Sequence, residues 1–191
     1  MANNCFYKMK VQGSESNVNE FIKLIQVNYA YDDHNNCYNP SDNYKPVERH
    51  LWRVFNADVD EEYVGNKGKI AYISGDCAWS VYCCMCEGKH TYQFQYPNSK
   101  GTSLRQESER LQLTIEVFSE ECGCCFMEHY VFQNGKCKVD SCVDWCEYCT
   151  LDYESVEEMN EDCGTNFTQE QFDAEEYISV GGLDWEFGKW Q

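Results

Sequence analysis

The sequence predicts an α+β fold in which helices pack on one face of an antiparallel β-sheet. Short segments of alternating apolar residues are interleaved with segments that have helical spacing. Capping patterns precede several of the helical segments. An Asn-Gly dipeptide, the strongest short-range signal for a hairpin, separates two of the strand candidates.

A strand, a helix and a loop are predicted first. Residues 5–12 are rich in aromatic and apolar side chains and predict a strand. Residues 16–28 carry apolar residues at helical spacing, and Ser14 and Ser16 both have side chains suited to cap this helix. Residues 30–47 are rich in Asp, Asn and Pro and predict a loop.

Three strands and a helix are predicted within residues 51–118. Residues 51–55 and 69–73 predict two strands that are separated by an acidic turn. Asp76 is placed to cap a helix over residues 78–85. Alternating apolar residues in segment 111–118 predict the clearest strand of the chain.

The second half begins with a helix and ends in an acidic region. Ser103 and Gln106 form a capping-box pattern. A hairpin is predicted between residues 126–132 and 136–143. Thr168 begins a second capping-box pattern, and we expect the tryptophans near the C-terminus to be docked on the fold.

The predicted element order is βαββαβ followed by a hairpin. This is the order of the ferredoxin-like, split-βαβ arrangement, an antiparallel sheet with helices on one face. We therefore expect a ferredoxin-like α+β domain over residues 1–140. Residues 141–191 are expected to form an acidic helical or irregular extension that docks on this domain.

Three blocks of the sequence resemble a known family, the YubB-type ferredoxin-like proteins, which are small proteins carried mostly by phages and mobile elements. The blocks are Asn3-Asn4-Cys5-Phe6-Tyr7 with Val11-x-Gly13, Gly75-Asp76-Cys77-Ala78-Trp79-Ser80, and Ser119-Glu120-Glu121-x-Gly123 with Phe126-x-Glu128-His129-Tyr130. The resemblance covers about residues 1–140. It implies a ferredoxin-like sheet and a mobile-element setting, and it implies no catalytic residue. The many cysteines and the long acidic end depart from the family pattern.

The net charge excludes several functions. The chain has 15 Lys and Arg against 33 Asp and Glu, a formal net charge of −18. This charge argues against direct binding of nucleic acid and against adhesion to anionic lipid. No apolar run approaches the roughly 18 residues of a membrane span. The first residues lack the features of a secretory signal, so we expect a cytoplasmic protein.

Most of the negative charge is concentrated near the C-terminus. Residues 140–191 contain 15 acidic residues and one basic residue, Lys189, whereas residues 1–139 contain 18 acidic and 14 basic residues. A concentration of one sign produces a directional field, and the aromatic residues interleaved with the acids suit a surface that binds a partner. The alternative is that the acidic residues only keep the protein soluble.

The leading hypothesis is a phage or mobile-element inhibitor that occupies a basic nucleic-acid-binding groove of a host defence protein, in the manner of an anti-CRISPR. Carboxylates fixed on a folded surface would replace the phosphates of the nucleic acid. Because a sheet of this type has exposed edges, the protein is expected to be a monomer or a homodimer. The residues expected to bind the partner are Asp144, Glu147, Glu154, Glu157, Glu158, Glu161, Asp162, Asp173, Glu175 and Glu176.

The second hypothesis is a Cys-rich binding module that regulates a protein partner and contains a structural zinc ion. Four thiols could supply the tetrahedral ligands, namely Cys137, Cys142, Cys146 and Cys149. Only the last two form a CxxC pair, and the usual pattern has two such pairs. We therefore expect no bound metal and no cofactor, with most cysteines present as free thiols.

The third hypothesis is a small hydrolase or transferase. His129 could act as a base, and a nucleophile could come from the thiols at positions 122, 124 and 125. Neighbouring residues of a strand point to opposite faces, however, so Glu128 and His129 cannot line one pocket together. We therefore expect no catalytic residues.

Overall fold

A computed structural model describes residues 4–26, 29–32, 37–40, 49–51, 53–66, 68–86 and 100–190. The elements in chain order are β1 (Asn4–Gly13), α1 (Glu15–Ile25), β2 (Tyr29–Asp32), β3 (Cys37–Pro40), β4 (Arg49–His50), β5 (Asp58–Gly65), β6 (Gly68–Ala78), a π-helical turn (Tyr82–Cys86), β7 (Lys100–Gly101), α2 (Leu104–Arg110), β8 (Thr114–Glu121), β9 (Phe126–Gln133), β10 (Lys136–Cys149), a 3-10 turn (Thr150–Asp152), α3 (Val156–Cys163), α4 (Gln169–Ala174) and β11 (Tyr177–Gly181). The fold is therefore α+β, as predicted.

The centre of the molecule is a seven-stranded sheet with the order β11-β10-β9-β8-β1-β6-β5. Every neighbouring pair in this sheet is antiparallel. Two small pairs lie outside it, the antiparallel pair β2-β3 and the parallel pair β4-β7. The strands β11 and β5 therefore form the two edges of the sheet.

One face of the sheet, the helix face, packs against helices α1 and α2 and forms the core with them. Tyr7, Met9 and Val11 of β1 have no exposed surface on this face. They belong to one apolar cluster with Phe21 of α1 and Leu104 of α2. Each fully buried side chain of this size stabilises the fold by roughly 1.5–3 kcal/mol relative to exposure.

The C-terminal strap, residues 182–190, crosses the opposite face of the sheet. The Trp185 ring lies 6.1 Å from the ring of Phe6 and 5.9 Å from that of Phe118. The Phe187 ring packs edge-on against Phe118 at 5.4 Å. The predicted docking of the C-terminal tryptophans is therefore confirmed, and the apolar side chains on this face are covered.

A buried carboxylate fastens the strap to the sheet. Glu116 of β8 is 2 % exposed. Its Oε2 accepts a hydrogen bond from the Gly188 backbone N–H at 2.8 Å and another from the Trp190 indole Nε1–H at 3.2 Å. Its Oε1 lies 3.1 Å from Nε2 of His129 on β9. One side chain thus joins β8, β9 and the end of the chain.

Two glycines let the chain turn from β11 into the strap. Gly181 and Gly182 have φ values of 79° and 89°, which L side chains rarely adopt. A Cβ atom at Gly181 would also collide with the carbonyl oxygen of Asp144. The Gly182 N–H donates to that same carbonyl at 3.0 Å. The close approach of two backbones at this turn requires glycine.

Several local predictions are confirmed by the caps and the hairpin. The side chains of Ser14, Ser103 and Thr168 cap α1, α2 and α4, and the last cap is a full capping box. Asn134 and Gly135 have positive φ values of 47° and 80° and close the β9-β10 hairpin. The capping and turn signals were specific because each depends on two or three neighbouring residues.

Other local predictions were wrong about position or type. The acidic segment predicted as a turn forms edge strand β5, since an edge tolerates charged side chains. Instead of the helix predicted for residues 78–85, β6 extends to Ala78 and a short π-helical turn follows. The predicted strand 111–118 is shifted to Thr114–Glu121.

Two further predictions fell on partly described segments. Of the predicted strand 51–55, the described residues make only an isolated bridge at Val54. The predicted loop 30–47 contains the strands β2 and β3, and its other residues, 33–36 and 41–47, lie outside the described ones.

The predicted domain boundary between residues 140 and 141 falls inside β10, which continues the sheet to Cys149. The acidic C-terminal part includes α3 and α4, as expected, but also strand β11 at the sheet edge. Within the part of the chain that is described, no helix has the length and apolar character needed to cross a membrane.

Candidate functional site

The acidic region, residues 140–190, is anchored to the sheet by strand pairing and buried side chains. β11 pairs antiparallel with the end of β10. Val156 and Met159 of α3 are buried. Thr150 Oγ1 donates a hydrogen bond to the Glu175 carbonyl oxygen at 2.9 Å, which ties the turn after β10 to the chain before β11. These contacts hold the backbone of the acidic region in defined positions.

All ten carboxylates that were predicted to bind a partner are exposed. They lie on the end of β10, on α3 and α4, and on the connecting segments. They are Asp144 and Glu147 in β10, Glu154 before α3, Glu157, Glu158, Glu161 and Asp162 in α3, Asp173 in α4, and Glu175 and Glu176 before β11. The other acidic residues of the region are also exposed, namely Asp140, Asp152, Glu170, Asp184 and Glu186.

The negative charge of this region has little compensation inside the molecule. Among the described residues, the only ion pair that includes one of these carboxylates joins Glu186 to Lys189. A few of the carboxylates accept local hydrogen bonds, such as the one that Glu158 accepts from the Glu154 backbone N–H at 2.8 Å. Because solvent-exposed carboxylates without partners keep their full charge, the region presents a field of one sign.

Helix α3 carries more negative charge than its own stability favours. Glu157 and Glu161, and likewise Glu158 and Asp162, are like charges four residues apart on the helix surface. Such pairs destabilise a helix by roughly 0.2–0.5 kcal/mol each. The charges at the C-terminal end also oppose the helix dipole. Glu157 and Glu158 lie in the first turn, where negative charge favours the helix dipole, so only the charges of Glu161 and Asp162 have no structural benefit in the folded chain.

The aromatic residues interleaved with these acids have different environments. Trp145 is 5 % exposed, and Trp185 belongs to the strap, so neither presents its ring freely to a partner. The rings of Tyr148 and Phe167 pack edge-on at 5.4 Å. Tyr177 is 50 % exposed, and it remains the most accessible aromatic anchor of this region.

The four cysteines considered as zinc ligands are spread along one strand. Cys137, Cys142, Cys146 and Cys149 all belong to β10. At about 3.3 Å per residue, the first and last are separated by about 40 Å, whereas a zinc–thiolate bond is about 2.3 Å long. Within the described residues, no three Cys, His, Asp or Glu side chains are placed to hold a metal ion. These four thiols therefore cannot share one zinc ion.

The residues considered for catalysis are divided between the two faces of the sheet. His129 lies on the opposite face, where its ring stacks on Phe118 with a centroid distance of 4.0 Å. Glu128 points to the helix face and accepts a hydrogen bond from Ser119 Oγ at 2.7 Å. The strand geometry thus separates them as the sequence predicted.

Two of the candidate thiol nucleophiles, Cys122 and Cys125, are not activated. Burial raises the pKa of Cys122, and the carboxylates of Glu120, Glu147 and Glu121 raise it further. A hydrogen bond with the Cys146 thiol, with a smaller effect of burial, raises the pKa of Cys125 to about 11. A catalytic cysteine requires a lowered pKa, because the thiolate is the nucleophile.

A cavity that the sequence analysis did not predict lies on the helix face, between the segment after β6 and the strands β9 and β10. Its volume is about 530 Å³. The residues of this aromatic cavity are Trp79, Ser80, Tyr82, Cys83, Cys124, Phe126, Glu128, Tyr130, Asp140 and Cys142. They come from three separate segments, residues 79–83, 124–130 and 140–142, so no local motif marks them. The only sequence signal for this cavity was the alternation of side chains along a strand. It places Glu128 and Tyr130 of β9 on the same face as Asp140 and Cys142 of β10.

No family model, curated protein or solved structure matches this chain. The resemblance to YubB-type proteins therefore stays a prediction. The function has to be inferred from the acidic region and the aromatic cavity.

Proposed function

We propose that this protein is an inhibitor that occupies the basic nucleic-acid-binding groove of another protein with its acidic region. The observation that supports this most strongly is that all 15 acidic residues from Asp140 to Glu186 are exposed. Duplex DNA carries about one negative charge per 1.7 Å of its axis, so a groove lined with Lys and Arg is complementary to a dense set of fixed carboxylates.

The anchoring of the acidic region favours tight binding. Because β11 pairs with β10 and α3 is packed through Met159, the carboxylates lie on a folded surface before the partner arrives. A pre-organised surface loses less conformational entropy on binding than a disordered acidic tail would. Glu161 and Asp162, which oppose the helix dipole of α3, are explained if the partner supplies the opposite charges.

We also propose a ferredoxin-like topology for the sheet core and a phage or mobile-element origin for the protein. The sheet contains the order β8-β1-β6-β5, with α1 between β1 and β5 and α2 between β6 and β8. This order supports a ferredoxin-like, split-βαβ core. Together with the resemblance to YubB-type proteins, it favours a phage or mobile-element protein whose partner is a host defence protein. The protein itself does not bind nucleic acid under this proposal.

The proposal can be tested by competition with nucleic acid. The immobilised full chain is incubated with a bacterial lysate at low salt, and bound proteins are eluted with duplex DNA in one arm and with neutral dextran in the other. We expect nucleic-acid-binding proteins to be released by the DNA and retained in the dextran arm, because the acidic region and the DNA would occupy the same groove. Retention of all captured proteins in both arms would contradict groove occupancy.

Two variants with equal net charge make the test specific. The first removes four carboxylates of α3 through Glu157→Gln, Glu158→Gln, Glu161→Gln and Asp162→Asn. The second removes four exposed carboxylates elsewhere through Glu15→Gln, Asp58→Asn, Glu61→Gln and Glu109→Gln. We expect capture to be lost only in the first variant. Equal capture by the two variants would show that net charge alone, rather than the acidic region, attracts the partner.

A further inference from the structure

The aromatic cavity combines an apolar lining with a buried carboxylate. Four of its ten residues are aromatic, namely Trp79, Tyr82, Phe126 and Tyr130. Glu128 is 3 % exposed and belongs to the same lining. Ligand sites in proteins are commonly apolar cavities of roughly 300–1,000 Å³ with a few polar groups, and this cavity has those features.

The ionisable side chains that line the cavity include two carboxyl groups, those of Glu128 and Asp140. Glu128 accepts hydrogen bonds from the Val81 backbone N–H at 2.9 Å and from the hydroxyl groups of Ser119 and Tyr130 at 2.7 and 3.2 Å. All of these donors are neutral. Asp140, which is exposed, adds a second carboxylate at the rim. The ten described lining residues include no Lys, Arg or His.

A neighbouring cavity contains a basic side chain. It shares Tyr82, Tyr130 and Asp140 with the aromatic cavity and also contains Arg105. Arg105 Nε donates a hydrogen bond to the Gly135 carbonyl oxygen at 2.9 Å. Because burial raises the pKa of Glu128 despite its hydrogen bonds, a cation in the aromatic cavity would relieve an unfavourable buried charge.

The rim of the cavity has an exposed and strained aromatic residue. Trp79 is 41 % exposed and has a φ of 66°, in the left-handed region that aromatic residues rarely adopt. Strain of this kind is concentrated at functional sites. The guanidinium carbon of Arg53 lies 4.6 Å from the centroid of the Trp79 ring. The ring thus already binds one guanidinium group within this molecule.

We propose that the aromatic cavity binds an arginine side chain of the basic partner, with the guanidinium group between the aromatic rings and the carboxylates. This inference rests on the proposed function, because a nucleic-acid-binding groove supplies arginine side chains. A planar guanidinium stacks on aromatic rings and pairs with carboxylates, whereas an ammonium group is more strongly hydrated. The cavity adjoins the acidic region, since Asp140 and Asp144 lie on the same face of β10.

The test uses the full chain and a small probe, without the partner. N-acetyl-arginine methylamide is titrated into the protein, and the indole N–H resonance of Trp79 is followed by NMR. The citrulline derivative, which has the same shape without the charge, and the lysine derivative serve as comparison probes. We expect saturable shifts with the arginine probe and at least about fivefold weaker binding of the other two, which corresponds to about 1 kcal/mol of cation–π interaction.

Matched variants locate the binding site. Tyr82→Leu removes an aromatic ring of the rim that is 40 % exposed, and Tyr177→Leu removes a ring that is 50 % exposed and lies away from the cavity. Asp140→Asn and Asp152→Asn form the second pair, since both carboxylates are exposed and only the first lines the cavity. We expect the arginine probe to bind about fivefold more weakly to Tyr82→Leu and about twofold more weakly to Asp140→Asn. Its binding to Tyr177→Leu and to Asp152→Asn should be unchanged.

The outcomes separate this inference from the proposed function. Equal affinity for the citrulline and arginine probes, tighter binding of the lysine probe, or wild-type affinity of Tyr82→Leu would overturn the arginine site, whatever the lysate experiment shows. Saturable binding of the arginine probe that depends on Tyr82 and Asp140 supports it. If DNA releases no captured protein while the probe binds, the groove-occupancy proposal fails and the cation site of the cavity remains.

Discussion

The carboxylates of the sheet core and those of the acidic region have opposite environments. Glu107, Glu116 and Glu128 are at most 3 % exposed. Each accepts several hydrogen bonds, and Glu107 is paired with Arg49 at 2.6 Å and with Arg110 at 2.6 Å. The 15 carboxylates from Asp140 onward are exposed, and within the described residues only Glu186 has a cationic partner.

Carboxylates therefore have two different roles in this molecule. A buried carboxylate is retained only where donors compensate for its lost hydration, so it stabilises one arrangement of the chain. An exposed carboxylate contributes little to the stability of the fold and instead adds to the external field. Substitutions in the first group should therefore change folding, and substitutions in the second group should change binding.

The largest effect is expected for Glu107→Ala. This change leaves Arg49, Arg110 and Thr102 without their shared acceptor, and breaking a buried pair costs about 3–5 kcal/mol. The free energy of unfolding is measured by urea denaturation. Glu109→Ala, on the exposed side of the same helix, should change it by less than about 0.5 kcal/mol. Equal effects of the two substitutions would remove the distinction between buried and exposed carboxylates.

A smaller loss is expected for Glu116→Ala, which removes the acceptor that fastens the strap. The Gly188 N–H and the Trp190 indole lose their buried partner, at a cost of about 2–3 kcal/mol. The strap should then be cleaved faster by a protease that cuts after aromatic residues. Glu186→Ala, in the exposed part of the strap, serves as the control. Unchanged cleavage in Glu116→Ala would mean that the aromatic contacts alone hold the strap.

The pH dependence of stability should differ between the buried carboxylates of Glu107 and Glu128. Burial alone would raise the pKa of Glu107, but hydrogen bonds from Thr102, Arg110 and Arg49 lower it overall. Its contribution to stability is therefore present above the unfolded pKa of about 4.3 and is lost as the pH falls through the folded value. Burial raises the pKa of Glu128, so its contribution is present at low pH and is lost as the pH rises through the folded value.

The substitution Glu128→Gln isolates the contribution of Glu128 to the pH dependence of stability. The difference in the free energy of unfolding, variant minus wild type, should increase as the pH rises through the pKa of folded Glu128. Above that pH the difference should stay constant. Denaturation curves measured at a series of pH values provide the check, and a difference that does not depend on pH would contradict the raised pKa.

The smallest effects are expected within α3. Asp162→Asn removes a charge that opposes the helix dipole and should raise the free energy of unfolding by about 0.3–0.5 kcal/mol. Glu157→Gln removes a charge from the favourable N-terminal end and should lower it or leave it unchanged. The two variants have the same net charge, so their difference in melting temperature reports the position of the charge. A higher melting temperature for Glu157→Gln would contradict this explanation of α3.

Local signals allowed part of the fold to be predicted. Asn134-Gly135 closes its hairpin because both residues tolerate positive φ, and Ser103 and Thr168 cap their helices through their own side chains. Asp76 was predicted to cap a helix, but it lies inside β6 together with Gly75. A Cβ at this position would collide with Asn56 and Tyr7, so the glycine permits a tertiary contact rather than a turn. Such a contact cannot be inferred from neighbouring residues.

The exposure of the acidic residues was predictable, whereas the cavity was not. The composition of residues 140–191 alone indicated an acidic surface, because so many carboxylates cannot be buried without partners. The aromatic cavity depends on the distance between segments that are far apart in sequence, such as Trp79 and Asp140. The pairing of Glu116 with the strap likewise joins residues 72 positions apart. Only the three-dimensional structure brings these side chains together.

The salt dependence of partner binding tests the role of the acidic region most directly. The dissociation constant of a captured partner is measured for the wild type and for the two fourfold variants, between about 50 mM and about 200 mM salt. We predict at least about a hundredfold loss of wild-type affinity over this range, a shallower dependence and weaker binding for the α3 variant, and wild-type behaviour for the control variant. An affinity that is the same at both salt concentrations would contradict binding through the acidic region. Equal loss of affinity, relative to the wild type, in the two fourfold variants would contradict it as well.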